Sequence, residues 1–224
     1  MIISVKQNAS NIAQKFDIFI DNCYSYSGEL GSYSRFQPIR LIDKNGQSIL
    51  VGKYFFSHWT HYLPLRYLFG KVNLTKGYRC INTGNDVGTI VYSHHGFLKS
   101  FYVMTWHNEV LYSYPVTKGS FEYVAIYNGA KQIALLEIYL TVTDFKYCYK
   151  LYLLDDFREW EMMMSFFILY YANRRFAKRF HMSKGTTCVK AWSFSKYNNQ
   201  YDPQWRETHF PQENFFGKTT LLNS

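Results

Sequence analysis

Residues 155–180 read DDFREWEMMMSFFILYYANRRFAKRF, and this stretch decides the fold. At helical spacing, bulky apolar side chains occupy two opposite faces. One face holds Phe157, Trp160, Met164, Phe167, Ile168 and Tyr171, and the other holds Met162, Met163, Phe166, Leu169 and Tyr170. A helix that is apolar on all sides must be surrounded by protein or lipid. The uncharged run spans only Met162 to Asn173, whereas a bilayer requires about 20 apolar residues. The pattern therefore predicts a buried central helix over about residues 156–173.

The predicted helix begins at a capping signal. Asp156 is followed three positions later by Glu159, which is the spacing of a capping box. The adjacent carboxylates Asp155 and Asp156 could also act as a pair of acids in catalysis. At the start of a helix, however, carboxylates cap free backbone N–H groups and complement the helix dipole, and we favour that role.

Upstream of the helix, short β-type runs alternate with turn signals about every ten residues. The clearest hairpin joins Ile39–Ile42 to Ser48–Val51, and its Asn45-Gly46 pair is expected to hold the positive φ angles of a tight turn. Further strands are predicted at Tyr78–Ile81, Gly88–Tyr92, Phe97–Thr105, Val110–Tyr114, Phe121–Tyr127, Gln132–Leu140 and Tyr147–Leu154. This rhythm is typical of an antiparallel sandwich or barrel. The stretch from His58 to Phe69 contains Pro64 and remains ambiguous.

Composition agrees with a folded, β-rich chain. The 224 residues fit one large β domain or two small ones, and the 20% aromatic content favours strands. The four cysteines, Cys23, Cys80, Cys148 and Cys188, are far apart and form no CxxC pair, so we expect reduced, mostly buried thiols. The N-terminus lacks a basic segment followed by an apolar one, so no secretion signal is predicted. These features together favour the cytoplasm.

The order of elements resembles that of the tubby C-terminal-like superfamily, which includes phospholipid scramblases and LURP-one-related proteins. The resemblance rests on RLIDKNGQSILVGKY (40–54), on the strands and turn of residues 121–156, and on the helix MMMSFFILYYA (162–172). It implies a closed antiparallel barrel of about twelve strands around the hydrophobic helix. Residues 1–180 are then one barrel domain, and residues 181–224 are an extension that we expect to pack on the barrel. Two features depart from the family: about fifty residues follow the helix, and no cysteine-rich segment is present. No functional residue can be carried over.

Catalytic and metal-binding signatures are absent from the sequence. His58 and His61 form an HxxH pair and His94 and His95 are adjacent, but a metal site needs three or four converging ligands. No GxSxG nucleophile elbow and no GxxxxGK phosphate loop occurs. We therefore predict no catalytic residue, no metal and no cofactor. An enzyme whose site cannot be read from sequence stays an alternative.

Positive charge is concentrated after the apolar helix. The net charge is +9 and the pI is about 9.2, and no Asp or Glu occurs from Met162 through Tyr201. Arg174, Arg175, Lys178 and Arg179 lie within one turn and a half of helix. They could simply complement the helix C-terminus and keep the surface hydrated. Alternatively they bind anionic phospholipid headgroups or an acidic protein, which makes the chain a non-enzymatic binding module peripheral to a membrane.

Nucleic acid is a weaker alternative for the same cations. Rings such as Phe176 and Phe180 are interleaved with them and could stack on bases, although rings at helical spacing more often belong to the core.

Overall fold

The computed structural model describes residues 1–10, 14–31, 38–56, 76–94, 100–118, 121–140, 147–176 and 198–211. In these residues twelve antiparallel strands form one closed barrel, in which each strand pairs with its neighbours in sequence and β1 closes the sheet against β12. The strands are β1 Ile2–Ser10, β2 Gln14–Ile20, β3 Cys23–Leu30, β4 Ile39–Ile42, β5 Ser48–Phe56, β6 Lys76–Asn82, β7 Asn85–His94, β8 Ser100–Trp106, β9 Glu109–Lys118, β10 Phe121–Asn128, β11 Lys131–Leu140 and β12 Tyr147–Leu153. The predicted mostly β fold and its closed antiparallel barrel are confirmed.

A helix follows the last strand and enters the barrel. A 3-10 segment, Asp155–Trp160, leads into the α-helix α1, Glu161–Phe176. Every side chain from Met163 to Asn173 is buried. Contacts reach strands around the barrel: Phe167 packs edge-on to Tyr102 of β8 at 5.6 Å between ring centroids, and the sulfur atoms of Met163 and Cys80 of β6 are 3.9 Å apart. Because its partners lie on different sides, α1 occupies the lumen.

Two strand glycines make room for this helix. A Cβ atom at Gly28 of β3 would lie 2.4 Å from Cδ2 of Leu169, and one at Gly52 of β5 would lie 2.3 Å from Cζ of Phe166. Both distances are far below van der Waals contact, so a side chain at either position would displace α1 or the strand. The two glycines therefore show how closely α1 approaches strands β3 and β5.

The capping prediction at the helix start is wrong. The N-cap of the 3-10 segment is Leu154, which makes no side-chain capping bond, and Phe157 interrupts the segment with non-helical angles. Asp156 instead lies 3.8 Å from Lys131, and Asp155 accepts a bond from Arg158 at 3.1 Å. Asp155 also accepts a bond from the N-terminal amine at 3.0 Å, so both carboxylates are paired with cations, and α1 begins only at Glu161.

The predicted hairpin around Asn45-Gly46 is present, but its turn is longer than expected. Gly46 has a φ of +79°, whereas the φ of Asn45 is not positive, so the pair does not form the expected two-residue turn. Ile42 pairs with Ser48, and the Asp43 carboxylate accepts bonds from the backbone N–H groups of Asn45 and Gln47. This side-chain bonding stabilises a five-residue loop and competes with the tighter turn.

The barrel has two distinguishable ends. The proximal end is the one at which β12 finishes and α1 begins, and the hairpin turns at Asp21-Asn22, residues 43–47, Thr83-Gly84, His107-Asn108 and Gly129-Ala130 lie there. The distal end is the one at which α1 finishes. The segments that join strands at the distal end, residues 11–13, 32–37, 57–75, 95–99, 119–120 and 141–146, lie outside the described residues.

A second hydrophobic layer covers the outside of the barrel at β10–β12. Residues 198–211, here called the strap, contain a 3-10 turn, Asn198–Gln200, and a short helix, α2, Trp205–His209. Trp205, Tyr201 and Phe210 pack on outward-facing Tyr123 and Tyr152. These three strands therefore bury both faces, against α1 inside and against the strap outside.

Candidate functional site

The position of α1 in the lumen is fixed at the proximal end by two hydrogen bonds. The indole N–H of Trp160 donates to the Glu109 carboxylate at 3.0 Å, and the Tyr26 hydroxyl donates to Glu161 at 2.8 Å. Burial, assisted by the Glu161 carboxylate, raises the pKa of Tyr26 well above its ordinary value, so the hydroxyl stays a donor. These bonds set the depth at which the helix enters the barrel.

Polar contacts also hold the last turns of α1 at the distal end. The Asn173 side chain donates to the Tyr78 hydroxyl at 3.2 Å, and the Tyr171 hydroxyl bonds to Glu122. The Tyr78 ring packs edge-on to Tyr170 at 5.5 Å, and burial raises the pKa of Tyr78 well above its ordinary value. The helix is thus buried up to Asn173, at the distal mouth of the barrel.

The predicted anion-binding residues come directly after that buried turn. Arg174 and Arg175 belong to the backbone of α1, whose last residue is Phe176. Their side chains, and the whole of Lys178 and Arg179, lie outside the described residues. The grouping of the four cations therefore stays a prediction. The structure shows where this basic segment begins: Arg174 directly follows Asn173, whose side chain is 8% exposed.

Acidic side chains gather at the opposite, proximal end. The described turns, strand ends and helix start there include Asp21, Asp43, Asp86, Glu109, Asp155, Asp156, Glu159 and Glu161. The cations described at this end include the N-terminal amine, Lys44, Arg79, Lys131 and Arg158, and all of them except Lys44 lie within 4 Å of one of these carboxylates. The proximal end therefore has an excess of negative charge.

The distal end has the opposite charge in its sequence. The strand-joining segments and strand ends at this end contain the basic residues Arg35, Arg66, Lys71, Lys76, Lys99, Lys118 and Lys146. The acidic residues of the same segments and strand ends are Glu29, Glu122 and Asp144. In the sequence, the segments and strand ends that the topology assigns to the distal end are therefore net basic, whereas the described proximal end is net acidic.

A second candidate site, which the sequence did not indicate, lies on the outer face of β10–β12. Arg206 of the strap forms an ion pair with Glu137 of β11 at 3.6 Å, and both side chains are about 95% or more buried. The Tyr152 hydroxyl also donates to Glu137, at 3.3 Å. The feature of the sequence that could have indicated this site is Glu137, a carboxylate within the apolar run ALLEIYL of residues 134–140. A charge buried in this way requires a partner, but sequence alone does not say which.

The cysteines and histidines form no reactive group in the described part of the chain. Cys80 is buried, Cys148 is partly buried and Cys23 is exposed, all as free thiols, so the expected burial does not hold at Cys23. Burial raises the pKa of Cys80, which keeps its thiol protonated and unreactive. No cluster of three or more potential metal ligands occurs among these residues. His58, His61 and His95 lie outside them.

Comparison with known proteins leaves the family open: no family model, no curated protein and no solved structure matches the chain. Among the described residues, no helix combines the length and the apolar character needed to cross a bilayer. The apolar run of α1 is instead accounted for by the barrel around it.

Proposed function

We propose that this protein is a non-enzymatic binding module of tubby-like fold that engages anionic phospholipid headgroups at its distal end. Arg174, Arg175, Lys178 and Arg179 provide the main contacts. The observation that carries the proposal is the course of α1, which is buried as far as Asn173 and ends at the distal mouth. A chain leaving a packed lumen must emerge at the rim, where charged side chains can stay hydrated.

The magnitude of the attraction favours reversible binding. A Lys or Arg close to an anionic membrane contributes about 1 kcal/mol, and salt screens this contribution. Four such residues give measurable binding without acting as a permanent anchor. Further cations in the distal segments add to the field at the same end.

The difference in charge between the two ends of the barrel determines which end faces the membrane. Strands of seven to ten residues are about 23–34 Å long, which is about three to four times the Debye length of ~8 Å at physiological salt. The acidic proximal end therefore does not cancel the attraction felt at the distal end. It disfavours binding in the reverse orientation, because its carboxylates would face the anionic surface.

The tubby-like assignment is supported by the order of elements. Twelve described strands form a closed meander, and the helix that follows β12 fills the lumen, as the resemblance of residues 40–54, 121–156 and 162–172 to that superfamily implies. A shared fold does not by itself transfer an activity, so the lipid proposal rests on charge and placement.

The test compares two variants with the same change in net charge. In the distal variant Arg174, Arg175, Lys178 and Arg179 are replaced by Gln. In the control variant Lys44, Arg79, Lys131 and Arg158, which are exposed cations outside the distal end, are replaced by Gln. Each protein is sedimented with vesicles of phosphatidylcholine alone or with added phosphatidylserine, at low and at physiological salt.

We expect wild type and the control variant to sediment with anionic vesicles at low salt, and the distal variant to stay in solution. Equal binding by the two variants, or no binding by wild type, refutes the proposal. A salt titration with duplex DNA covers the nucleic-acid alternative, for which the logarithm of affinity falls with a slope of about 0.9 per phosphate contact. Tight DNA binding without vesicle binding would also overturn the lipid proposal.

A further inference from the structure

The strap occupies a surface that is shaped for a peptide. It is a continuous stretch, residues 198–211, that contributes one anchor after another to the outside of β10–β12. Tyr201 stacks on Tyr123 at 4.6 Å between ring centroids, and the indole N–H of Trp205 donates to the backbone carbonyl of Gln132 at 3.3 Å. A few buried Trp, Tyr and Arg side chains usually provide most of the binding energy of a protein interface, and the strap presents residues of these three types.

The buried ion pair adds chemical selectivity to this surface. Glu137 is 2% exposed, and the Arg206 guanidinium lies beside its carboxylate and 5.8 Å from the centre of the Tyr152 ring. Tyr152 also donates to this carboxylate and Lys150 is its cross-strand neighbour, but a segment without a cation at this position would remove the Arg206 charge from a buried carboxylate, which is unfavourable. Arg suits the position better than Lys, because its planar guanidinium can stack on a ring while it pairs with a carboxylate.

We infer that the outer face of β10–β12 is a peptide-binding surface and that the strap is its ligand within the same chain. The partner that fits is a peptide of another protein with an aromatic residue, a Trp-Arg pair and a second aromatic residue at the spacing of Tyr201, Trp205, Arg206 and Phe210. Such a peptide binds when the strap is released. This inference is independent of the headgroup proposal, which concerns the distal end.

The geometry allows the strap to separate from the barrel. The strap follows α1 only after the 21 residues 177–197, and its described contacts lie on the outer face, not in the lumen that α1 fills. Release therefore uncovers Tyr123, Ala125, Leu135 and Tyr152 without removing a side chain from the main core. The exposed patch is apolar around the Glu137 carboxylate and its cross-strand neighbour Lys150, which is the pattern of a peptide groove with a few polar anchors.

The experiment uses the full chain with a weakened strap. A Trp205→Ala, Arg206→Ala double variant is titrated against a fluorescent synthetic peptide of residues 198–211, and binding is followed by anisotropy. We expect saturable binding to the double variant. Binding to wild type should be at least about thirtyfold weaker, because its own strap occupies the surface. A peptide carrying Arg206→Ala should lose at least about thirtyfold in affinity for the double variant.

Three results would overturn the inference. The first is a folded double variant that does not bind the peptide. The second is equal binding by wild type and variant, or equal binding of the two peptides. The third is loss of the native circular-dichroism spectrum both in the double variant and in the milder Tyr201→Ala variant, because the strap would then be an inseparable part of the barrel.

Discussion

Replacing Gly52 with Ala tests the position of α1 at the level of single atoms. The new Cβ would lie 2.3 Å from Cζ of Phe166 and 3.0 Å from Cδ1 of Tyr78. Phe166 is fully buried and Tyr78 is 1% exposed, so neither ring has free space into which it can move. Overpacking of a filled core costs about 1–3 kcal/mol, and we expect Gly52→Ala to lower the free energy of unfolding by that amount.

A second substitution should reverse part of this loss. Phe166→Leu alone removes ring atoms, including Cζ, and leaves a cavity that costs about 1–2 kcal/mol. In the double variant the Ala methyl group occupies space that the ring has vacated. The two losses therefore should not add, and the double variant should be about 1–2 kcal/mol more stable than their sum, within the range found for residues in contact.

Urea unfolding of the four proteins measures this coupling. Lys53→Ala, at the exposed neighbouring position of the same strand, is the control, because it changes strand composition without approaching α1. It should show no coupling to Phe166→Leu. Losses that add to within about 0.5 kcal/mol for Gly52→Ala and Phe166→Leu would refute the close approach of the helix to β5.

Two further predictions concern the core. Phe167→Asp should abolish soluble expression, because an unpaired carboxylate in the lumen costs several kcal/mol, whereas Phe167→Leu should stay folded; a soluble, cooperatively melting Asp variant would contradict the buried helix. Stability should fall as pH rises above about 10, because the pKa values of Tyr26 and Tyr78 are raised in the folded state and the unfolded chain releases those protons first. Urea unfolding between pH 8 and 11 should show a smaller fall for Tyr78→Phe than for wild type, and equal falls would contradict the assignment.

Most of the barrel could be predicted because its strands carry regular patterns. The runs from Ile39 to Leu153 alternate or are wholly apolar, and turn residues separate them. The first three strands escaped prediction for a physical reason. Gln7 and Gln14 occupy inward positions of β1 and β2 and are 5% and 4% exposed, so polar residues stand where the pattern requires apolar ones. In β3 the inward position of Gly28 carries no side chain at all, because Leu169 fills that space.

At one turn and at the helix start, side-chain bonds produced a local structure that differs from the predicted one. The Asn45-Gly46 pair favours a two-residue turn, but the Asp43 carboxylate binds two backbone N–H groups and stabilises a longer loop. At the helix start, Asp156 pairs with Lys131 instead of capping. In both cases the deciding partner is a side chain whose position depends on the folded hairpin or barrel, so sequence spacing could not identify it.

The candidate sites could be predicted from the sequence only in part, because each depends on contacts between residues that are far apart in the chain. The basic run after Asn173 is visible in the sequence, but the acidic proximal end emerges only when five separate turns are brought together. The pairing of Glu137 with Arg206 joins a strand to a segment beyond α1, and no periodicity predicts such a pair. The strap also explains why β10–β12 read as nearly continuous apolar runs, since both faces of these strands are covered.

The two proposed surfaces are arranged so that they can act together. The strands run between the proximal and distal ends, so the outer face of β10–β12 stands roughly perpendicular to a membrane that contacts the distal end. A peptide partner could therefore reach Glu137 while the cations near Arg174 contact headgroups. Glu137 lies three residues, or about 10 Å of strand, from the distal end of β11, which is slightly more than the Debye length of ~8 Å at physiological salt. Charge changes at one surface should therefore alter affinity at the other only weakly, and this coupling should weaken further as salt is raised.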